Sequence, residues 1–513
     1  MKTKLLFISI LIFQFSYSQN GSLDTSFGTN GIVINDISDN LLSDKSLSII
    51  VKDNGAFVVS GYTTNSNGNK DIALAQYNSD GSLDTLFGTN GIVTLDINGL
   101  DEDAISSTFQ SDGKIITVGE TDNKVVVARF NSNGTIDTSF ATNGIFVYNI
   151  SSEDVAIAVA ISTNHEIYIG CRFFFDYGVI KLTELGTFDS TFGTNGIVTT
   201  DLGSVDYLTD IKLLSDNKLI VTGTSGNNHS GINGDSFDKA IIKYNSDGSL
   251  DTTFNSNGII FTTYEDGGDD SGNALIIQPD NKIVVCGSSY IGTEDDNFAL
   301  ARYNIDGSVD TSFGINGVSI IDHGLDFEIC TSALLQGDGK ILVGGYVING
   351  TTFDFNFGLA RYNSDGSIDS SFGNNGIILT DLNNNSSDYA YSMAFQNNKI
   401  LLTGSTRVSG NSDDFAIVRY LADDTLGINE LTENTNTYSI YPNPTSRVFY
   451  ITNKSKKNTI SNIVIYSING TKIKSFSDFD LSQKIILDNL SNGVYFVEVS
   501  DKLVTETFKL VIK

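Results

Sequence analysis

Hydrophobic residues in this chain come in short runs that are separated by turns rich in glycine, asparagine and aspartate. Residues 92–97, 104–110, 114–119 and 125–130 form one such series, with Asp112-Gly113 and Asn133-Gly134 at its turns. Both pairs favour turns that need a positive φ. The runs lack the 3.6-residue period of a helix, so the pattern predicts β-strands joined by tight turns.

The series belongs to a repeat that is marked by phrases such as GSLDTSFGTNG. The phrase occurs seven times, and its phenylalanines are Phe27, Phe87, Phe140, Phe192, Phe254, Phe313 and Phe372. Each repeat contains four predicted strands, and four strands in about 50–60 residues are typical of a propeller blade. We therefore predict an all-β fold in which residues 19–420 form a seven-bladed β-propeller of four-stranded blades. Ring closure would remove exposed sheet edges.

Two local features of the repeats carry further expectations. A glycine is predicted to end the third strand of every repeat, at Gly61, Gly119, Gly170, Gly223, Gly287, Gly345 and Gly404. In the third repeat, Asn164-His165-Glu166 replaces the usual Asp-Gly-Lys turn, and residues 171–175 replace a polar loop. We expect the third blade to be locally irregular.

Charge and residue counts narrow the possible chemistry. The chain has 31 Lys and Arg against 61 Asp and Glu, a net charge of −30, which argues against nucleic acid or an anionic membrane as partner. Its three cysteines are far apart and show no C-x-x-C motif, so neither a disulfide framework nor a zinc site is expected. None of the three histidines pairs with another at ligand spacing, which makes a histidine-based metal site or catalytic triad improbable.

The first residues have the pattern of a secretory signal peptide. Lys2 and Lys4 precede the apolar residues 5–15, and Ser16-Tyr17-Ser18 supplies a small-x-small cleavage site. Residues 1–18 are therefore predicted to be removed. No later segment approaches twenty apolar residues, so we expect a protein outside the cytoplasm without membrane insertion.

The charge changes sign near the other end of the chain. Residues 438–513 contain ten Lys and Arg against six Asp and Glu, a net of +4, and the rest of the chain carries −34. This change marks a domain boundary, and the polar residues 421–437 before it read as a linker. Short alternating runs separated by Asn-Gly turns predict a small β-sandwich over residues 438–513.

Motifs in this last segment resemble the type A C-terminal sorting domain of the type IX secretion system of Bacteroidetes. The matching positions are Tyr441, Pro442, Asn443, Pro444, Gly470 and Gly493, within YPNP, IYSING and LSNGVY phrases. The resemblance implies that residues 438–513 bind the type IX machinery, and that the protein is exported across the outer membrane to the cell surface or beyond. Residues 21–420 resemble the delta-60 repeat family, which implies a propeller and brings no established activity.

The turn phrase NSDGSLD looks like half of a calcium-binding loop. The first ligand position is instead occupied by Gln76, Arg129, Lys181, Lys243, Arg302 and Arg361. A cation there would repel calcium and could pair with the aspartate of the phrase. We therefore expect no cofactor, with the aspartates capping turns and the phenylalanines plugging the space between blades.

Acidic residues open the second predicted strand of every repeat. They are Asp44, Glu102, Asp154, Asp206, Asp270, Glu328 and Asp388, and Asp71, Asp176, Asp238 and Asp414 open fourth strands on the same face. These acids are either solvated strand caps or a ligand- or cation-binding face. The insertions 222–237, 288–297 and 346–356 emerge on this face. We therefore predict that Asp206, Asp270 and Glu328 line the principal interaction surface.

These patterns favour a secreted or cell-surface propeller that binds an extracellular ligand and is not an enzyme. Neither a nucleophile elbow, a phosphate-binding loop nor a zinc-protease motif occurs in a convincing context. The alternative is a secreted hydrolase or lyase that acts on extracellular glycan. Its paired carboxylates cannot be chosen from the sequence, because many aspartates would qualify.

Overall fold

Two compact units, residues 1–425 and 426–513, make up the chain. The computed structural model describes residues 20–512 except 39–41, 152, 204, 227–236, 263–268, 292–294, 324, 326, 349–353, 384–385, 410–411, 423–437, 444, 446, 454–458, 468–471, 482, 488–489, 492 and 501–504. The predicted signal peptide, most of the predicted linker, Pro444 and Gly470 lie outside these residues. Among the described residues the regular elements are strands, and none is an α-helix.

The strands of the first unit are short and follow one another with tight turns. They are β1 (Ile32–Asn35), β2 (Asp44–Val51), β3 (Phe57–Thr64), β4 (Lys70–Tyr77), β5 (Ile92–Leu95), β6 (Glu102–Phe109), β7 (Ile115–Thr121), β8 (Lys124–Phe130), β9 (Ile145–Tyr148), β10 (Asp154–Ile161), β11 (Ile167–Phe173), β12 (Asp176–Leu182), β13 (Ile197–Thr200), β14 (Asp206–Leu213), β15 (Leu219–Ser225), β16 (Asp238–Tyr244), β17 (Ile259–Thr262), β18 (Ala274–Ile277), β19 (Ile283–Ile291), β20 (Asp295–Tyr303), β21 (Val318–Ile320), β22 (Phe327–Leu335), β23 (Ile341–Ile348), β24 (Phe355–Tyr362), β25 (Ile377–Thr380), β26 (Asp388–Gln396), β27 (Lys399–Ser409) and β28 (Ser412–Leu421).

These strands pair antiparallel in chain order, four at a time. Strands β2–β5 form one such group, and β6–β9, β10–β13, β14–β17, β18–β21 and β22–β25 repeat its order, the last two being joined by one parallel residue pair. Strands β26–β28 are completed by β1, which pairs with β28. The described strands thus fall into seven groups of four, each of which we call a blade and number from β2–β5 as blade one.

The first strands of the blades lie together at the centre. Strand β2 packs against β6, and the series continues through β10, β14, β18, β22 and β26, which packs back against β2. This ring is the arrangement of a β-propeller with the first strand of each blade innermost. The outermost strand of each blade comes from the following sequence repeat, so repeats and blades are offset by one strand.

The recurrent glycines lie inside strands rather than at their ends, which corrects the sequence prediction. Gly61 is within β3, opposite a register shift between Ser46 and Ser48 of β2. A Cβ atom on Gly61 would lie 1.8 Å from the carbonyl oxygen of Lys45. The same clash recurs at Gly119, Gly223, Gly287, Gly345 and Gly404. Glycine is therefore required where the innermost strand bulges towards its neighbour.

The third blade is more regular than its sequence predicts. Strands β10–β13 pair as in the other blades, and the departures are confined to two turns. In these turns His165 and Phe174 adopt positive φ values of 62° and 57°. The backbone ladder thus tolerates the unusual side chains of this repeat.

The phenylalanine of each repeat phrase is a core residue, and none of the seven is more than 1% exposed. Phe313 shows its surroundings, since its ring lies against Gly366 of the next repeat and under the guanidinium of Arg302, 4.6 Å from ring centroid to Cζ. Arg302 Nε donates to Asp310 Oδ2 (2.7 Å), and its Nη1 donates to the Ser364 carbonyl of the next repeat (2.6 Å). The phrase therefore links neighbouring blades.

The second unit contains two sheets around one core. Its strands are β29 (Tyr438–Tyr441), β30 (Val448–Asn453), β31 (Thr459–Ser467), β32 (Lys472–Asp480), β33 (Ile485–Ile486), β34 (Gly493–Ser500) and β35 (Thr505–Ile512). Sheets β29-β30-β33 and β32-β31-β34-β35 share buried side chains such as Phe449, Ile465 and Val497. Asn443 of the YPNP motif holds β35, because its Nδ2 donates to the Lys509 carbonyl and its Oδ1 accepts from Val511 N–H.

The Phe313→Ala variant should be destabilised by about 3–5 kcal/mol, because the ring is wholly buried between two repeats. Chemical denaturation of the full chain measures the loss. Ile315→Ala is the matched control, since Ile315 lies in the same phrase and is 83% exposed. Equal stability of Phe313→Ala and the wild type would contradict a buried role for the phrase.

Candidate functional site

The seven predicted acids lie where the innermost strand of each blade begins, but their side chains are buried. None is more than 1% exposed. Asp44 accepts the backbone N–H of Ile37 (2.6 Å) and the hydroxyl of Thr63 (2.6 Å), and Asp388 is bonded in the same way by Leu382 N–H (2.7 Å) and by the Thr406 hydroxyl (2.5 Å). These carboxylates hold the loop that enters each blade.

The prediction for Asp206, Asp270 and Glu328 therefore needs correction. Asp206 and Glu328 have no exposed surface; Asp206 accepts Leu202 N–H (2.7 Å), and Glu328 contacts the Nδ1 of His323 (2.9 Å). Asp270 accepts the Ser289 hydroxyl (2.6 Å) and borders a cavity of about 230 Å³. Strand alternation explains the difference, because acids that bond the loop at the strand start must point into the protein.

Three of these acids belong to carboxylate triplets between neighbouring blades. The triplets are Asp36, Asp44 and Asp414; Asp71, Asp96 and Glu102; and Asp176, Asp201 and Asp206, with oxygens of each triplet within 4.8 Å of one another. Burial, reinforced by repulsion from Asp96 and Asp71, raises the pKa of Glu102 to about 7. Burial, with repulsion from Asp36 and Asp44, raises the pKa of Asp414 to about 6. Carboxylate oxygens are the ligands that calcium takes, so these are the groups that could hold a cation.

The Asp-Gly turns behave as turn caps. Asp80 Oδ1 accepts both the N–H and the hydroxyl of Ser82, at 2.9 and 2.7 Å. The aspartate at the end of the phrase pairs with the predicted cation, as Arg129 Nε does with Asp137 Oδ2 at 2.8 Å. The Arg129 guanidinium helps to lower the pKa of Asp137 to about 2, together with hydrogen bonds from Ser139.

A different set of positions reaches the surface beside the buried acids. It consists of the residue that follows each acid and the residue opposite it on the second strand. These fourteen residues, which we call the variable ring, are Lys45 and Tyr62, Asp103 and Glu120, Val155 and Arg172, Tyr207 and Thr224, Ser271 and Ser288, Ile329 and Tyr346, and Tyr389 and Ser405.

The variable ring differs from the rest of the repeat in composition. Each blade has Asp or Glu at the preceding position, whereas the seven following residues are Lys45, Asp103, Val155, Tyr207, Ser271, Ile329 and Tyr389. Six of these seven are half-buried. Because the fold requires the acid and the glycine, and not the ring residue, the ring is free to carry function.

One arc of the ring, in blades one to four, is built from charges and tyrosines. Lys70 Nζ contacts Asp103 Oδ2 (3.1 Å) and lies 4.3 Å from the centroid of the Tyr62 ring. The Arg172 guanidinium lies over Tyr207, 5.2 Å from its centroid. Tyr207 in turn contacts Phe237, and both border the 230 Å³ cavity beside Asp270.

The opposite arc, in blades six and seven, is aromatic. Tyr346 contacts Tyr389 and Phe355, with ring centroids 5.3 and 5.4 Å apart. Lys45 joins this arc to the first, since its Nζ lies 5.9 Å from the Tyr389 centroid and 3.4 Å from Asp413 Oδ2. Side chains from most blades therefore form one continuous surface.

Two carboxyl groups of the ring are paired across strands. Asp103 of β6 lies opposite Glu120 of β7. Burial raises the pKa of both groups, and Asp103 raises that of Glu120 further by repulsion, whereas Lys70 opposes both shifts. Within the described part of the chain, Asp103 Oδ1 and Arg172 Nε are buried without a hydrogen-bond partner. Sequence reasoning missed this pair, although comparing the repeats position by position would have singled out the column after each acid.

Family comparisons match both units. A secretion system C-terminal sorting domain covers residues 439–513. A domain of unknown function, the DUF5122 β-propeller, matches residues 54–87, 110–140, 214–254, 278–313, 336–372 and 396–426, and so skips the third repeat. The predicted all-β propeller and sorting domain are confirmed, and the sorting domain indicates export by the type IX system to the cell surface or extracellular space.

Other comparisons show only the fold. No curated protein matches the chain. Similar solved structures include a Dyadobacter fermentans protein of unknown function (11% identity, 77% of this chain, 100% of the other, TM-score 0.40) and an ulvan lyase (13%, 79%, 94%, 0.43). A third is polysaccharide lyase Uly1 (8%, 74%, 90%, 0.45). Among the described residues no helix has the length and apolar character needed to cross a membrane.

The Glu102→Gln variant should flatten the pH dependence of stability. Because the pKa of Glu102 is raised to about 7 in the folded chain, its contribution to stability falls as the pH rises from about 4.5 to about 7. The variant should therefore melt at a higher temperature than the wild type at pH 8, relative to the difference at pH 5. Differential scanning calorimetry at both pH values tests this.

Asp310→Asn is the opposite control, because Lys282, Arg302 and Ser312 hold the pKa of Asp310 well below its usual range despite burial. This aspartate is ionised at both pH values, so its replacement should lower the melting temperature about equally at pH 5 and pH 8. A Glu102→Gln protein with the full wild-type pH dependence would show that Glu102 does not titrate in this range.

Proposed function

We propose that this exported chain, which combines DUF5122 β-propeller repeats with a secretion sorting domain, is a binding protein that holds an extracellular ligand at the variable ring. One observation carries the proposal. The positions that are alike in every blade are buried and bond to the fold, whereas the positions that differ between blades contact one another at the surface. Loops and strand ends on a rigid scaffold are where binding residues concentrate.

The composition of the ring supports a binding role. It combines tyrosine rings with lysine, arginine and carboxylate groups, which is the mixture of apolar and directional contacts that ligand sites use. Its residues come from all blades, so a ligand would be held at many weak contacts. The type IX machinery is the second partner, through the sorting domain.

A secreted glycan hydrolase is a second candidate, and the Asp103 and Glu120 pair favours it. Glycoside hydrolysis commonly uses two carboxyl groups, of which one must be protonated to act as the acid. Burial raises the pKa of both groups here. Release of reducing ends from glycans by the purified protein, and its loss in Glu120→Gln, would favour this candidate over a binding protein.

Replacing both Tyr346 and Tyr389 by alanine should weaken ligand binding at least tenfold, because these rings contact each other in the aromatic arc. The measurement is binding of the fluorescently labelled full chain to an array of extracellular glycans and proteins. Leu86→Ala is the control, since Leu86 is 87% exposed outside the ring. Unchanged array signals in the double variant would sink the assignment of the ring as the ligand site.

Deleting residues 438–513 should leave a folded propeller in the periplasm, because the sorting signal lies in the removed segment. Immunoblots of the medium and of cell fractions measure this. As a gain-of-function control, residues 426–513 fused to a periplasmic reporter should bring the reporter to the surface or the medium. Normal appearance of the truncated chain in the medium would contradict the sorting role.

A further inference from the structure

The two arcs of the variable ring differ in chemistry, and together they suggest a ligand class. The polar arc contains Lys70, Asp103, Glu120 and Arg172, from blades one to three. The aromatic arc contains Tyr346, Phe355, Tyr389 and Tyr391, from blades six and seven. A ligand that fits both must offer hydrogen-bonding groups on one part of its surface and apolar C–H groups on another.

The polar arc leaves one acceptor and one donor unused. Asp103 Oδ1 and Arg172 Nε lack hydrogen-bond partners among the described residues, and both side chains act electrostatically on Glu120, which places Glu120 near each of them. Buried polar atoms without partners are unfavourable, by about 1–3 kcal/mol each. A hydroxyl group both donates and accepts, so neighbouring hydroxyls on one ligand would satisfy both atoms.

Charge separates this ligand from other candidates. A polyanion offers no donor to Asp103 Oδ1 and is repelled by a chain with a net charge of −30. A cationic ligand could donate to Asp103 but could not accept from Arg172 Nε. The cations of the ring are already neutralised, as in the contacts of Lys70 with Asp103 and of Lys45 with Asp413. The ligand that remains is uncharged and rich in hydroxyl groups.

We infer that the variable ring binds an uncharged polysaccharide chain. Sugar hydroxyls meet Asp103, Glu120 and Arg172, and the C–H faces of the sugar rings pack on Tyr346 and Tyr389, which are half-buried and therefore present part of their surface. This inference rests on the proposed function and names the ligand class for the same site. It gives the orphaned polar atoms and the aromatic arc one common cause.

Isothermal titration calorimetry of the full chain without its signal peptide tests the inference. The probes are cellohexaose, xylohexaose and mannohexaose, with hexagalacturonate as the anionic arm and the uncharged hexapeptide Gly-Ser-Gly-Ser-Gly-Ser as the peptide arm. At least one neutral hexasaccharide should bind. Glu120→Gln and Arg172→Gln should each weaken that binding at least tenfold, because each removes a charge from the polar arc.

Asp122→Asn is the matched control. Asp122 lies in the turn after the strand of Glu120, pairs with Lys124 at 2.9 Å, and has a side chain that is 54% exposed. This variant should bind like the wild type. Melting curves of all three variants confirm folding, so a loss of binding cannot be assigned to unfolding.

The possible failures are distinguishable. If hexagalacturonate or the peptide binds in a way that requires Tyr346 and Tyr389, the neutral-glycan inference falls and the proposed function stands. If a neutral hexasaccharide binds equally well to Glu120→Gln and Arg172→Gln, the polar arc is not its site and the inference is overturned. Failure of all three neutral hexasaccharides to bind also overturns it.

Discussion

A buried cation at the end of the third strand ties each blade to its own outer edge and to the next blade. Arg302 does this in blade five by pairing with Asp310, covering the Phe313 ring and donating to the Ser364 carbonyl. Arg129 does the same with Asp137, Phe140 and the Glu184 carbonyl. In an acidic chain, the cations that neutralise buried aspartates are few, and the fold spends many of them here. The packing of each blade on the next depends on this contact.

The acids at the other end of the strands are held differently. Asp310 is ionised and surrounded by cations and donors, whereas Glu102 is buried beside Asp96 and Asp71. Backbone N–H groups and hydroxyls bond the second kind, as Ile97 N–H and Thr121 do for Glu102. The pKa therefore falls for one set of acids and rises for the other. Two sets of carboxylates that look alike in sequence thus have opposite electrostatic roles.

This division leaves the variable ring as the place where the repeats are free to differ. The ring begins one residue after each buried acid, and the glycine that accommodates the bulged strand lies one residue before its partner, as Gly61 precedes Tyr62. Fixed neighbours on both sides hold the ring residues in equivalent positions. Differences such as Lys45, Asp103 and Tyr389 therefore change the chemistry of the surface without changing the backbone.

The sequence by itself determined the repeat, the all-β propeller and the sorting domain. Periodic phrases and turn residues act locally, so Asp-Gly turns, a buried Phe313 and the pairing of Arg302 with Asp310 were predictable from spacing alone. Only the tertiary structure decided that Gly61 faces a bulge, that β1 completes the last blade, and that Asp206 and Glu328 point inward. Those facts depend on register and on contacts between residues of different blades, such as Lys70 with Asp103. A strand shifted by one residue would exchange the buried acid for its surface neighbour, and no local pattern in the sequence specifies which of the two is exposed.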